Sequence, residues 1–137
     1  MHPVVPDCRK MVLADRVALL DELTRGRTDV VLVGSSYGGL AALALADRHP
    51  ERFAGLLLLA PALHHTEPPV ADASQLMVAP DLPCVIIHGR ADSIVPIAVS
   101  RSLAQRCGHV ELLETDDTHV LESSLDLMLQ QTRRLLP

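Results

Sequence analysis

Hydrophobic residues along the chain follow two patterns that alternate. Short continuous apolar runs, such as DVVLVG at 29–34 and AGLLLLA at 54–60, are typical of strands buried on both faces of a parallel sheet. Longer segments, in which apolar residues recur every three or four positions, predict amphipathic helices. The predicted strands are residues 3–5, 29–34, 54–60, 83–88 and 109–114. The predicted helices are residues 14–25, 37–48, 96–106 and 120–135.

This alternation predicts an α/β fold, a three-layer α/β/α sandwich around a mostly parallel sheet of four or five strands. The strand at 109–114 alternates enough between apolar and polar residues to lie nearer an edge of the sheet. Residues 61–80 are rich in proline and predict a loop with one short helix near 72–78. Because no linker or repeat interrupts the chain, residues 1–137 are interpreted as a single domain.

The turn between the second predicted strand and the second predicted helix contains candidate catalytic residues. Its sequence, Gly-Ser-Ser-Tyr-Gly, matches G-x-S-x-G centred on Ser36. In such a nucleophile elbow, strand and helix approach so closely that bulky residues two positions either side of the serine would clash. Gly34 and Gly38 are therefore expected to remove that clash, and Gly39 to give further room. The amide of Tyr37, at the helix N-terminus, is expected to face a developing oxyanion.

A serine nucleophile needs a general base, and the base needs an orienting acid. Asp92 follows the strand at 83–88, and His119 follows the strand at 109–114. The carboxyl ends of parallel strands lie at one edge of a sheet, so both side chains are expected near Ser36. Singly, Asp92 could be a helix cap and His119 a helix-entry histidine. The chain order Ser36, Asp92, His119, with each residue after a different strand, favours a catalytic triad.

The segments VGSSYGG, HGRADSIVP and DDTHVL resemble the nucleophile, acid and histidine segments of the α/β-hydrolase superfamily. The resemblance runs from about residue 3 to the C-terminus and is closest to small, lidless bacterial serine esterase-like members. It implies that Ser36 is the nucleophile, His119 the general base and acid, and Asp92 the orienting carboxylate. Tyr37 would supply one oxyanion amide. The implied reaction is hydrolysis of a small ester or thioester through an acyl-serine intermediate, with no metal or organic cofactor.

The resemblance also indicates which parts of the family's pattern the sequence does not contain. Family members usually have several strands before the segment that corresponds to PVVPD in this sequence. One of those strands leads to a loop that supplies a second oxyanion amide. The chain therefore resembles an N-terminally truncated member, and its activity is expected to be weak. About 22 residues separate the strands at 54–60 and 83–88, which is too few for a lid domain.

Two other classes of function remain open from the sequence. The first is a catalytically weak or inactive module that serves binding or oligomerisation. A missing neighbouring strand would leave a strand edge exposed, which favours a homodimer. The second is a flavodoxin-like domain, which would need a phosphate or flavin in the turn at 34–39. The glycines of that turn do not follow the G-x-G-x-x-G spacing of a dinucleotide site.

The amino-acid composition limits which classes of binding partner and which cellular compartment are expected. The net charge of −5 and the scattered basic residues give no patch for nucleic acid. Cys8, Cys84 and Cys107 are odd in number and widely spaced, which argues against a disulfide framework and against a zinc site. The adjacent His64 and His65 are interpreted as residues of a solvated loop rather than as metal ligands. With no apolar stretch of membrane-spanning length and no leader pattern, a soluble cytoplasmic protein without a membrane partner is expected.

Overall fold

The computed structural model describes residues 2–137, and its centre is a sheet of parallel strands. The strands are β1 (Val30–Ser35), β2 (Phe53–Leu59), β3 (Cys84–Gly89) and β4 (Glu111–Thr115). They lie side by side in chain order, and each neighbouring pair is parallel. The register pairs Ser35 with Leu59 and Gly89 with Thr115. The carboxyl ends of the strands therefore lie together at one edge, where the three loops that follow β1, β3 and β4 emerge.

Helices cover both faces of the sheet. They are α1 (Leu13–Thr24), α2 (Tyr37–Arg48), α3 (Ile97–Arg106) and α4 (Leu125–Leu135). Buried residues of α1, α2 and α3 share one apolar cluster with β2 and β3 on the first face. On the second face Leu135 of α4 packs in a separate cluster with Leu57 and Ile87. The predicted three-layer α/β/α architecture is confirmed.

The β1 side of the sheet differs from the sequence prediction. The predicted strand at 3–5 is wrong: Val4 and Val5 lie exposed in an irregular segment between prolines, which have no amide hydrogen to give to a neighbouring strand. Among the described residues β1 has β2 as its one strand partner. Val33 is 47% exposed, so β1 is not buried on both faces as its apolar run predicts. The expected exposed strand edge is the outer edge of β1.

The last helix begins five residues later than its apolar spacing predicts. Glu122–Ser124 form a separate 3-10 turn before Leu125. Asp117 accepts hydrogen bonds from the Ser123 amide and the Ser124 hydroxyl, both at 2.9 Å. This side chain organises a local turn that competes with helix formation.

The helices of the described residues are short. Within residues 2–137 none is long and apolar enough to cross a membrane. The cytoplasmic location stays a prediction.

Candidate active site

β1 ends in a turn that holds Ser36 in an unusual backbone conformation. Its φ of 53° and ψ of −115° lie in a region that residues with a side chain rarely adopt. The Ser36 amide donates to the carbonyl of Leu59 at 2.8 Å, and its carbonyl accepts from the amides of Gly39, Leu40 and Ala62 at 3.0, 3.2 and 2.9 Å. Because these bonds come from β2, α2 and the loop after β2, the surrounding backbone fixes the strained conformation.

Two glycines permit close approaches around the turn. Gly34 lets β1 and α2 approach each other, and Gly39 lets α2 approach the loop after β2. A Cβ on Gly34 would lie 2.5 Å from the carbonyl oxygen of Gly38 and 2.9 Å from Cβ of Ala42. A Cβ on Gly39 would lie 2.9 Å from Cβ of Pro61. A Cβ on Gly38 would meet nothing within 4 Å. The prediction that Gly38 removes a clash is therefore wrong, since Gly38 contributes its carbonyl to the crowding at Gly34.

Alanine substitutions at Gly34 and Gly38 test whether β1 and α2 approach each other this closely. We expect Gly34→Ala to lower the free energy of unfolding by about 1–3 kcal/mol, because the new methyl group meets main-chain atoms that cannot rotate away. Gly38→Ala is the matched control, with open space for its methyl group and a gain in helix propensity. Urea unfolding measures both. Equal midpoints for the two variants would contradict this explanation of the turn.

The structure brings Ser36, Asp92 and His119 together at the carboxyl edge of the sheet. Nε2 of His119 lies 3.0 Å from Oγ of Ser36, and Nδ1 of His119 lies 2.8 Å from Oδ2 of Asp92. These distances fit a hydroxyl that donates to Nε2 and an Nδ1–H that donates to the carboxylate. The side chain of Asp92 is fully buried, while that of His119 is 20% exposed. A reactant can therefore approach the serine end of this chain from solvent but not the carboxylate end.

The environment of Asp92 keeps its carboxyl group ionised. Oδ1 accepts hydrogen bonds from the amides of Ile94 at 2.9 Å and Val95 at 2.7 Å. Burial acts to raise the pKa of Asp92, but the hydrogen bonds from Val95, His119 and Ile94 outweigh it, and the pKa lies below its usual value. With Oδ1 occupied by the main chain, Oδ2 is the oxygen that faces His119.

The loop that carries His119 is organised by Asp117, which the sequence interpretation did not single out. Oδ1 of Asp117 accepts from the Thr118 amide at 2.8 Å, in addition to the two bonds from the serines that precede α4. A Cβ on Gly89 would lie 2.1 Å from the Asp117 carbonyl oxygen. The end of β3 and the His119 loop therefore touch through main-chain atoms, which a glycine at position 89 makes possible. The glycine at the end of a predicted strand was the available sequence signal.

Tyr37 begins α2 directly after Ser36, and its hydroxyl is tied to the loop after β2. As in any first helical turn, its amide has no acceptor within the helix. Its hydroxyl donates to Glu67, at 2.8 and 2.7 Å from the two carboxylate oxygens. Glu67 also accepts from the Leu13 amide at 2.6 Å and lies 2.9 Å from Nε2 of His65. Glu67 thus joins α1, α2 and the loop beside the serine, and His65 is bonded within that loop.

The contacts of Glu67 predict that the thermal stability of the protein falls at acid pH. Hydrogen bonds from His65, Tyr37 and the Leu13 amide lower the pKa of Glu67 from 4.5 to about 2. Because the folded-state pKa is the lower one, the stabilisation is fully present above the unfolded-state pKa and is lost as the pH falls towards the folded-state value. We expect Tm of the wild type to fall more steeply between about pH 5 and pH 2 than Tm of Glu67→Gln. Parallel pH profiles in thermal unfolding would contradict this.

The protein combines a parallel sheet with a serine on a strained turn between strand and helix, and this serine lies in reach of a histidine and a buried aspartate. This combination defines the α/β-hydrolase class. The chain belongs to this superfamily: the sequence model of the family described as "Serine aminopeptidase, S33" matches residues 4–80, more than half of the chain. The family resemblance seen in the sequence is confirmed. The comparison with curated proteins gave no match.

Solved structures with the same fold include several hydrolases. A protein from Xanthomonas campestris pv. campestris, named for the alpha/beta hydrolase superfamily, shares 28% identity at a TM-score of 0.70, covering 94% of this chain and 68% of its own. A protein from Thermoplasma acidophilum, named as a predicted CIB-like hydrolase, shares 19% identity at a TM-score of 0.69, covering 93% of this chain. The present chain spans 62% of the length of that protein. The monoacylglycerol lipase of Paleococcus ferrophilus shares 15% identity at a TM-score of 0.69, with coverages of 90% and 74%.

Proposed function

We propose that the protein is a serine hydrolase that cleaves small ester or thioester substrates through an acyl-serine intermediate. The observation that carries the proposal is the single chain of hydrogen-bond contacts from Ser36 Oγ through His119 to the buried carboxylate of Asp92. Membership of the S33 family supports hydrolysis as the reaction. The lipase among the structural neighbours supports an acyl group as the part of the substrate that the serine attacks.

Acylation begins when Nε2 of His119 takes the hydroxyl proton of Ser36 and Oγ attacks the carbonyl carbon of the substrate. The carbonyl oxygen then carries the negative charge and accepts a hydrogen bond from the Tyr37 amide at the start of α2. His119 next gives its proton to the leaving alcohol or thiol. Asp92 holds Nδ1–H throughout and stabilises the imidazolium ion.

Deacylation repeats the same steps with water as the nucleophile. His119 removes a proton from water, the hydroxide attacks the acyl-serine, and the proton returns to Oγ of Ser36. The free acid leaves, and the starting state is restored. One amide, that of Tyr37, is assigned here as an oxyanion donor.

The second candidate is a catalytically weak or inactive module that serves binding or oligomerisation. It is favoured by the outer edge of β1, which has no strand partner among residues 2–137 and carries the half-exposed Val33. On this alternative the partner is a second copy of the chain, which forms a homodimer through the outer edge of β1. Light scattering after size-exclusion chromatography would reveal a dimer.

Trapping the acyl-enzyme with an activated ester tests the proposal against this alternative. Folded protein is mixed with excess p-nitrophenyl acetate, quenched in acid and digested, and the Ser36 peptide is weighed by mass spectrometry. We expect an acetyl group on that peptide and continued release of p-nitrophenol. A folded protein that neither acetylates nor releases p-nitrophenol above background would contradict the proposal and favour the binding module.

A further inference from the structure

His88, near the end of β3, is a fully buried histidine that the proposed reaction does not use. Its Nδ1 lies 2.7 Å from the hydroxyl of Ser100 on α3. Its Nε2 lies 3.0 Å from the carbonyl oxygen of Val95 and 3.2 Å from Oδ2 of Asp92. The imidazole therefore lies between α3 and the loop that carries the acid, and both of its ring nitrogens have polar partners.

The partners of His88 determine where its protons are. The Val95 carbonyl can only accept, so Nε2 carries a hydrogen. In the neutral imidazole Nδ1 is then an acceptor, and the Ser100 hydroxyl donates to it. The Val95 carbonyl thus selects the tautomer with Nε2–H, and Ser100 satisfies Nδ1 in that tautomer, with Oδ2 of Asp92 as the next polar atom near Nε2.

Val95 connects His88 to the acid through both of its main-chain polar groups. Its amide donates to Oδ1 of Asp92 at 2.7 Å, while its carbonyl accepts from Nε2 of His88. Oδ2, the second atom near Nε2 of His88, is also the oxygen that contacts Nδ1 of His119. His88 is therefore linked to Oδ1 by hydrogen bonds through the Val95 peptide, and its Nε2 packs 3.2 Å from Oδ2.

We propose that His88 is a positioning residue for Asp92, which holds the carboxylate so that Oδ2 faces His119. This inference rests on the proposed function, because it gives His88 a role in the reactivity of Ser36. His88 does not touch the substrate and transfers no proton in the reaction. Its loss lets the carboxylate and then the imidazole of His119 move away from the serine hydroxyl, and misplacement of a catalytic group by about 1 Å can cost 10²-fold in rate.

Two amide substitutions separate this role from simple filling of the core. The side-chain nitrogen of glutamine can reach the position of Nε2, whereas that of asparagine reaches only the position of Nδ1. His88→Gln therefore keeps a donor for the Val95 carbonyl, and His88→Asn loses it. Both variants replace the same buried ring by a primary amide, so they are matched in polarity.

The measurement is the second-order rate constant for labelling of Ser36 by a fluorophosphonate, together with the urea midpoint of each variant. We expect His88→Asn to be labelled about 10- to 100-fold more slowly than the wild type and His88→Gln to recover most of that rate. With an ester substrate the loss should fall on kcat and leave KM unchanged. Ser100→Ala, a milder change that frees Nδ1, should also slow labelling, and it keeps the test valid if the His88 variants do not fold.

Each other outcome has a definite meaning. Wild-type labelling rates in folded His88→Asn or in Ser100→Ala would overturn the inference while leaving the proposed function intact. Equal slowing of His88→Asn and His88→Gln, in step with their urea midpoints, would mean that His88 only fills the core and would also overturn it. Absence of labelling in the wild type would instead overturn the proposed function.

Discussion

Ser36→Ala is expected to lower kcat for ester hydrolysis by about 10⁴- to 10⁶-fold. The substitution removes the one oxygen that contacts Nε2 of His119. His119 would then have no hydroxyl to deprotonate, and no acyl-enzyme could form. Fold and stability should change little, because the bonds that hold the turn come from the backbone of residue 36 rather than from its hydroxyl.

The neighbouring Ser35 provides a matched control for this experiment. It is exposed at the end of β1, one residue before the strained turn. Ser35→Ala removes the same hydroxyl group from the same segment and should retain wild-type kcat. If Ser36→Ala kept more than about a tenth of the wild-type kcat, or if the two variants lost activity equally, Ser36 would not be the nucleophile.

Asp92→Asn is expected to lower kcat by about 10⁴-fold with little loss of structure. The asparagine oxygen can still accept from the amides of Ile94 and Val95, so the loop geometry is preserved. Its amide nitrogen then faces Nδ1 of His119, a donor opposite a donor. The imidazole must shift its proton to Nε2, which leaves it unable to accept the serine proton.

Asp116→Asn is the control for the loss of one negative charge at the same edge of the sheet. The side chain of Asp116 is 94% exposed and pairs with Arg90 at 2.7 Å. This variant should keep kcat within about twofold of the wild type, because an exposed ion pair contributes little. Steady-state kinetics with p-nitrophenyl acetate and urea midpoints measure both variants. A loss below tenfold in Asp92→Asn would contradict its role as the orienting acid.

Local patterns were sufficient to predict the strand and helix order and the residues that meet at the carboxyl edge. Continuous apolar runs mark β2 and β3 correctly because both strands are covered on both faces. Ser36 follows β1 directly, and Asp92 and His119 come within four residues of the ends of β3 and β4. Parallel strands place such positions at one edge of the sheet. The same reasoning mispredicted the segment at 3–5, because the prolines on either side of the two valines have no amide hydrogen to give to a neighbouring strand.

The residues that support the site were harder to predict, because their roles depend on contacts far apart in the chain. Glu67 contacts Tyr37 and Leu13, which precede it by 30 and 54 positions. The crowding at Gly34 rather than Gly38 depends on where the helix lies after the turn, which the five-residue pattern does not contain. In the sequence His88 is one more residue of a predicted buried strand. Its role depends on its contacts with Ser100 and with the loop that carries Asp92, which the sequence does not show.

The central claim is that His119 activates Ser36 as a nucleophile, and a fluorophosphonate probe tests it most directly. Folded wild-type protein, Ser36→Ala and Ser35→Ala would be treated in parallel, and the adduct would be located by peptide mass spectrometry. The proposed mechanism predicts one phosphonyl group on Ser36 in the wild type and in Ser35→Ala, and none in Ser36→Ala. A folded wild type without an adduct, or with the adduct on another residue, would contradict it.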